Sequence, residues 1–295
     1  MTRTGVIGLG DMGLGMARNL VDAGFDAYGF DLREERRRLF AEAGGRAAGS
    51  MAELGRSVDI VFLMVLNGSQ VFDILNGPDG LLGSMAPGST VVVSATIKPR
   101  EVEEAAALCE DAGLHLLDSP VSGGQSGAAA GTLAMMVAGP PGLLDEHRDV
   151  FAAVGGNVMN VGDRPGQGQT VKAVLQAVIG TTFAGIFEAL VLGDRAGVDS
   201  RVVRKVLEAS HVGSPLLRNT VELVQSRRFV GTGSNAATMH KDLTITMDLA
   251  LESGVTMFAT GAALQLMQAT LHSFPGEDNW AAVKVLERLA GVEEE

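Results

Sequence analysis

Little in this chain could form a disulfide, a metal centre or a basic surface. Its one cysteine, Cys109, cannot close an internal bridge. No Cys/His cluster has metal-ligand spacing, so no metal is expected. Lys and Arg number 23 against 35 Asp and Glu, a formal charge of −12, and no Lys/Arg-rich run could bind phosphates locally. Nucleic acid is therefore not an expected partner. Aromatic residues make up only 4% of the chain while apolar residues make up 46%, which implies cores of Ala, Val, Leu and Met and suits packed helices and a parallel sheet. The N-terminus lacks a basic segment ahead of a clean apolar core, and Asp11 interrupts it, so no signal peptide is expected. The apolar stretch 171–193 contains Lys172, Gln176 and Glu188, too little uncharged length for the roughly 20 residues of a membrane span. The expectation is a reduced, metal-free cytoplasmic protein with no membrane partner.

With 295 residues the chain exceeds the usual size of one core, and two domains are expected, 1–164 and 165–295. In the first half, short apolar runs (TGVIGLG, FDAYGFD, VDIVFLMVL, STVVVSA, LHLLDSPV, TLAMMVAG) alternate with amphipathic stretches. Continuous apolar strands alternating with helices predict a parallel, doubly wound sheet of the Rossmann type buried on both faces. After GDRPGQGQ (162–169) strand signals cease and helical patterns follow one another. The fold class is α/β with an all-helical second domain, joined by a helix predicted over 169–196 and roughly 40 Å long. Gly197 should stop it, and Asp199, Ser214 and Asp278 are expected N-caps of later helices.

Gly8, Gly10 and Gly13 form G-x-G-x-x-G between the first strand and a helix beginning near Met12. Gly8 allows the tight turn, Gly10 lets backbone approach a pyrophosphate, and Gly13 lets helix pack on strand, so residues 8–13, including Leu9, Asp11 and Met12, form a dinucleotide-binding turn. Asp31 follows eighteen residues after Gly13, where a carboxylate accepts from both ribose hydroxyls and repels a 2′-phosphate, favouring NAD over NADP. Arg33 and Arg36 to Arg38 read most simply as a solvated helix face; the alternative is that one of them counters Asp31.

Four motifs together, GLGDMGLGMARNL (8–20), DSPVSGGQSGAAAGTL (118–133), GQGQTVKAVLQ (166–176) and HKDL (240–243), resemble the β-hydroxyacid dehydrogenase family, in the family's order and over nearly the whole chain. The resemblance implies a Rossmann domain, a long interdomain helix, a helical domain, and pairing into homodimers or homotetramers. It implies that Ser122, Gly123 and Gly124 bind the carboxylate of a small substrate, which a hydroxyl and unencumbered N–H groups suit chemically. Lys172 takes the place of the family's acid/base; on an apolar helix face, desolvation would favour its neutral form. Thr96, at a strand end, resembles the residue beside the nicotinamide ribose, and Lys241, read as opening a helix, resembles the family's lysine near the cofactor. Asp242 could instead be a first-turn carboxylate favoured by the helix dipole. Val65 and Leu66 stand where family members commonly have Leu-Pro on the adenine side, and the proline is missing.

Gln176 stands where the family commonly has Asn, and Leu175 replaces another. Gln keeps the amide but moves it out by one methylene, and it resembles the tartronate semialdehyde reductase and threonate dehydrogenase branches, making a three- or four-carbon, polyhydroxy acid the expected substrate. The five histidines are scattered and form no catalytic motif. Two other readings remain open: an NADP-preferring semialdehyde or imine reductase of the same fold, against which Lys172 and Asp31 argue, and a non-catalytic NAD-binding scaffold, which would have no need of Lys172 or Ser122.

Overall fold

The computed structural model describes residues 2–291. The chain divides into two compact units, Met1–Lys172 and Ala173–Glu295, the division falling inside one long helix. The first unit runs β1 (Arg3–Ile7), α1 (Asp11–Asp22), β2 (Asp26–Phe30), α2 (Glu34–Glu42), β3 (Arg46–Ala47), α3 (Met51–Ser57), β4 (Ile60–Leu63) and α4 (Gly68–Asn76). It continues with β5 (Thr90–Val93), α5 (Pro99–Asp111), β6 (His115–Asp118), β7 (Val121–Ser122), α6 (Gly124–Ala130), β8 (Ala134–Ala138), α7 (Leu143–Glu146), α8 (Arg148–Val154) and β9 (Asn157–Gly162). The helix α9 (Gln167–Arg195) leads into the second unit, α10 (Ser200–Ala209), α11 (Pro215–Gln225), α12 (Ala236–Glu252), α13 (Phe258–Ser273), a 3₁₀ turn at Asn279–Ala281, and α14 (Ala282–Leu289).

The strands lie in the order β3-β2-β1-β4-β5-β6-β8-β7, with β9 on β8. From β3 to β6 all neighbours are parallel. Side chains alternate between two cores: Val6, Phe62 and Val92 pack on one face with Leu20 and Phe151, while Ile7, Val61, Leu63, Val91 and Val93 pack on the other with Leu75 and Val102. This two-sided burial accounts for the uninterrupted apolar runs.

The far edge departs from a wholly parallel sheet. β8 is antiparallel to both β6 and β7, and β9, which no sequence signal marked, pairs parallel to β8. An apolar run such as TLAMMVAG carries no direction; the connection sets it. After Asp118 the chain makes β7 and the seven-residue α6 and turns back, instead of crossing over a face.

In the second unit, Phe183 stacks on Phe187 at 6.1 Å and meets Trp280 edge-on at 5.2 Å, in a core with Val221, Leu243 and Met267. α9 begins two residues before Gln169 and ends at Arg195, and Gly197, at φ +77°, returns its N–H to the Asp194 carbonyl. Asp199 and Ser214 cap their helices by accepting from Arg201 N and Leu217 N. Asp278 does not cap: its Oδ2 accepts from the N–H and hydroxyl of Thr232, each at 2.7 Å, tying a distant loop to the 3₁₀ turn. By length and hydropathy α9 passes for a membrane span. Its Gln169, Lys172 and Gln176, however, are buried on polar protein partners, which assigns that face to protein and not lipid.

Candidate active site

The strand order reverses direction at β1, whose neighbours are β2 and β4, and in such sheets the crevice at the carboxyl ends of the strands is the ligand site. The glycine turn lies there. A Cβ on Gly8, at φ +91°, would stand 2.4 Å from the Met64 carbonyl oxygen, and one on Gly13 only 1.8 Å from the Gly8 oxygen, so neither position admits a side chain. Gly10 differs: the nearest atom to its Cβ position is Arg33 Nη2 at 3.9 Å. Its small size leaves open space that the fold itself does not fill, a cradle fitting a pyrophosphate against the N-terminus of α1. Val65 packs against Gly8, while Leu66 is exposed, its N–H bonded to Gln70 Oε1.

Asp31, just past β2, accepts from Leu9 N at 2.9 Å through Oδ2 and from Arg33 N and Nε, at 2.9 and 3.2 Å, through Oδ1. Burial works to raise this carboxyl, but the Arg33 hydrogen bonds and charge, with the Leu9 N–H, hold it below the usual carboxylate range. The basic face expected to be solvated is exposed at Arg33 and Arg38 and is also engaged in ion pairs. Arg33 counters Asp31, Arg36 pairs with Asp11 at 3.0 Å, Arg37 donates to the Asp31 carbonyl, and Arg38 pairs with Glu42.

β7 carries Ser122, and Gly123 and Gly124 follow at φ +138° and +62°, a backbone path strained for any other residue. Lys172 is 6% exposed and donates from Nζ to the Val121 carbonyl at 2.9 Å. The first unit therefore holds the lysine on the strand that presents Ser122. Thr96 lies in the turn after β5.

Sequence reasoning overlooked two residues here. Asp118, fully buried at the end of β6, accepts from Gly166 N, Gln169 N and Gln169 Nε2 at 2.9 to 3.1 Å. Burial pushes its carboxyl up to about 6 against the pull of these donors. Gln169 itself reaches Ala95 O and Ile97 N, on either side of Thr96. The available signal was a carboxylate ending an otherwise apolar strand.

In the second unit, Gln176 donates from Nε2 to Asp242 Oδ2 at 2.5 Å, both residues being buried. Lys241 and Asp242 do not open a helix. α12 starts five residues before Lys241, because Asn235 caps it by accepting from Ala237 N. Asp242 is a mid-helix carboxylate, with the Lys241 ammonium 2.9 Å from Oδ1 but not in line for a hydrogen bond.

A family model described as the NAD binding domain of 6-phosphogluconate dehydrogenase matches residues 3–162. A second, described as NAD-binding of NADP-dependent 3-hydroxyisobutyrate dehydrogenase, matches 166–286. The chain is 37% identical to an L-threonate dehydrogenase of Cupriavidus necator, over 95% of each chain. It is 32% identical to a NAD-dependent L-serine dehydrogenase of Pseudomonas aeruginosa, over 97% of this chain and 98% of that one. A crystal structure of 3-hydroxyisobutyrate dehydrogenase from Salmonella typhimurium superposes with a TM-score of 0.88 at 32% identity, covering 97% of this chain and all of the other. The chain belongs to the β-hydroxyacid dehydrogenase family of oxidoreductases, with an NAD(P)-binding domain in its first half.

Proposed function

We propose that this protein oxidises the hydroxyl of a three- or four-carbon hydroxyacid with NAD, using Lys172 as general acid/base and favouring polyhydroxy acids. The observation that carries the reading is the buried Lys172 ammonium held 2.9 Å from the Val121 carbonyl, next to Ser122. A dinucleotide on the turn 8–13, with Thr96 at its nicotinamide ribose, would supply the hydride acceptor. In the oxidative direction neutral Lys172 Nζ takes the alcohol proton, and in reduction the ammonium returns it. The Ser122 hydroxyl and the N–H groups of Gly123 and Gly124 hold the substrate carboxylate and so orient the carbon that loses hydride. Gln176, four residues along the same helix, has its amide nitrogen on Asp242, which aims its carbonyl as an acceptor for a substrate hydroxyl. The L-threonate relative favours the same substrate class. Val65 and Leu66 complete the first unit's cofactor surface in this reading.

NAD is favoured by the carboxylate of Asp31 and by the NAD-dependent L-serine relative. Against it stand the NADP-dependent description of the second family model and the pairing of Arg33 with Asp31. A screen of three- and four-carbon hydroxyacids and semialdehydes with both cofactors tests substrate and cofactor together. A wild-type preference for NADP would make Arg33 the determinant in place of Asp31. Lys172→Ala should lower kcat by about two to four orders of magnitude while NAD affinity, read by fluorescence, stays unchanged; retention of most activity would remove Lys172 from the chemistry.

Self-association belongs to the same proposal. Val174, Val178 and Leu192 are each at least 60% exposed, and helical spacing puts them on one face of α9. Sedimentation should show a dimer or tetramer, and Val178→Glu should weaken it.

A further inference from the structure

We propose that Gln169, held by Asp118, is the positioning residue that sets Lys172 in register with Thr96. The proposal rests on the assignment of proton transfer to Lys172.

Gln169 is 1% exposed and every polar atom of its side chain is engaged. Oε1 accepts from Ile97 N at 3.1 Å, and Nε2 donates to Ala95 O and to Asp118 Oδ1, each at 3.0 Å. The polarity is fixed, since an oxygen must face the Ile97 N–H and a donor must face two acceptors. Ala95 and Ile97 flank Thr96, so this amide clamps the turn that carries it. Asp118 Oδ2 takes the N–H groups of Gly166 and Gln169 itself, closing the first turn of α9, and Gly168 is left no room for a side chain, its Cβ position lying 2.9 Å from Asp118 Oδ2. Lys172 follows three residues after Gln169, and its Nζ rests on Val121 O, three residues after Asp118.

A helix cap would need only Asp118. The two bonds that Gln169 makes to the backbone around Thr96 satisfy nothing in the helix; they fix the end of β5 against the helix that bears the lysine. Because misplacement by about 1 Å costs about a hundredfold in rate, a single buried amide joining these three segments acts on turnover without touching substrate or cofactor.

The test uses Gln169→Leu and Gln169→Glu in the full-length enzyme, with Lys172→Met in parallel. Gln169→Leu should lower kcat about 10- to 100-fold with dinucleotide affinity and substrate KM changed less than about threefold, and the deuterium isotope effect on the transferred hydrogen should rise. A protonated Glu keeps the acceptor for Ile97 N and one of the two donated bonds, whereas an ionised one opposes Asp118 and the Ala95 carbonyl. Among the other ionisable groups on neighbouring elements, Lys172 lies on α9, Lys98 and Glu101 at the start of α5, and Glu103 of α5 beside Gly166. The kcat ratio of Gln169→Glu to wild type should therefore fall at least about tenfold from pH ~6 to pH ~9, while the Gln169→Leu ratio stays flat.

Wild-type kcat in Gln169→Leu, or a pH-independent ratio in Gln169→Glu, overturns the proposal. If Gln169→Leu does not fold, the Gln169→Glu pH ratio alone decides. An active Lys172→Met removes the proton-transfer reading and this proposal with it. An inactive Lys172→Met beside unimpaired Gln169 variants removes this proposal alone.

Discussion

The two units hold their polar residues by different means. In the first, main chain does much of the holding, beside side-chain pairs such as Arg33 on Asp31 and Gln169 on Asp118. Gly8 and Gly13 leave no room for a side chain, Leu9 N–H grips Asp31, the Val121 carbonyl receives Lys172, and Asp118 gathers the N–H groups that open α9. In the second, side chains hold one another across helices, as Gln176 holds Asp242 between α9 and α12. Backbone placement tolerates no change at a few glycines and is indifferent elsewhere; side-chain pairing makes each member dependent on the other.

The largest expected effect that would break this contrast is at Gly13. Gly13→Ala puts a methyl 1.8 Å from the Gly8 oxygen, so the turn must open, at about 4 kcal/mol or more, and NAD(P) binding by calorimetry should be lost. Retained binding would show that the turn yields as readily as a side-chain pair.

Next in size is the titration of Asp118. Its folded carboxyl lies at about 6, above its unfolded value, so its favourable contribution is full below pH ~4 and is lost as pH rises through ~6, by about 3 kcal/mol. Asp31, held low by Arg33, has the opposite sign: its contribution is present above the unfolded carboxylate range and lost as pH falls. Denaturant midpoints should show wild type losing stability relative to Asp118→Asn from pH 4 to pH 7. A difference that stays constant would mean that Asp118 titrates as an ordinary carboxylate.

Gln176→Leu sharpens the comparison on the side of the second unit. It strips a buried donor from Asp242 and should cost about 1 to 3 kcal/mol in kcat/KM on a polyhydroxy acid. If Gln176 reads a hydroxyl, a substrate with a methyl in that place should lose less. Equal losses on both would leave Gln176 only the task of holding Asp242. The smallest effect is expected at Ser214, whose hydroxyl accepts from Leu217 N. Ser214→Ala should lower the melting stability by about 1 kcal/mol with kcat unchanged.

The same contrast explains what was legible. The turn at 8–13, the carboxylate after β2, Ser122 to Gly124 and the lysine on α9 all depend on segments a few residues long, whose backbone geometry follows from glycine placement and apolar period. The Gln169 hub was not legible, because its partners lie 51 to 74 residues away in sequence, and no periodicity reports a contact at that range. The start of α12 was missed because the HKDL pattern drew attention past Asn235, itself a strong N-cap residue.

Sequence by itself determined the α/β architecture with its helical second unit, the dinucleotide turn and the position of Lys172, since each is encoded in local spacing and in which residue types can adopt the local backbone. Only the tertiary structure decided that β8 runs antiparallel, that Arg33 turns onto Asp31, that Gln176 is taken up by Asp242, and that Asp118 and Gln169 bind three segments together. Those outcomes depend on which buried polar group finds which partner, and burial makes an unpaired group costly.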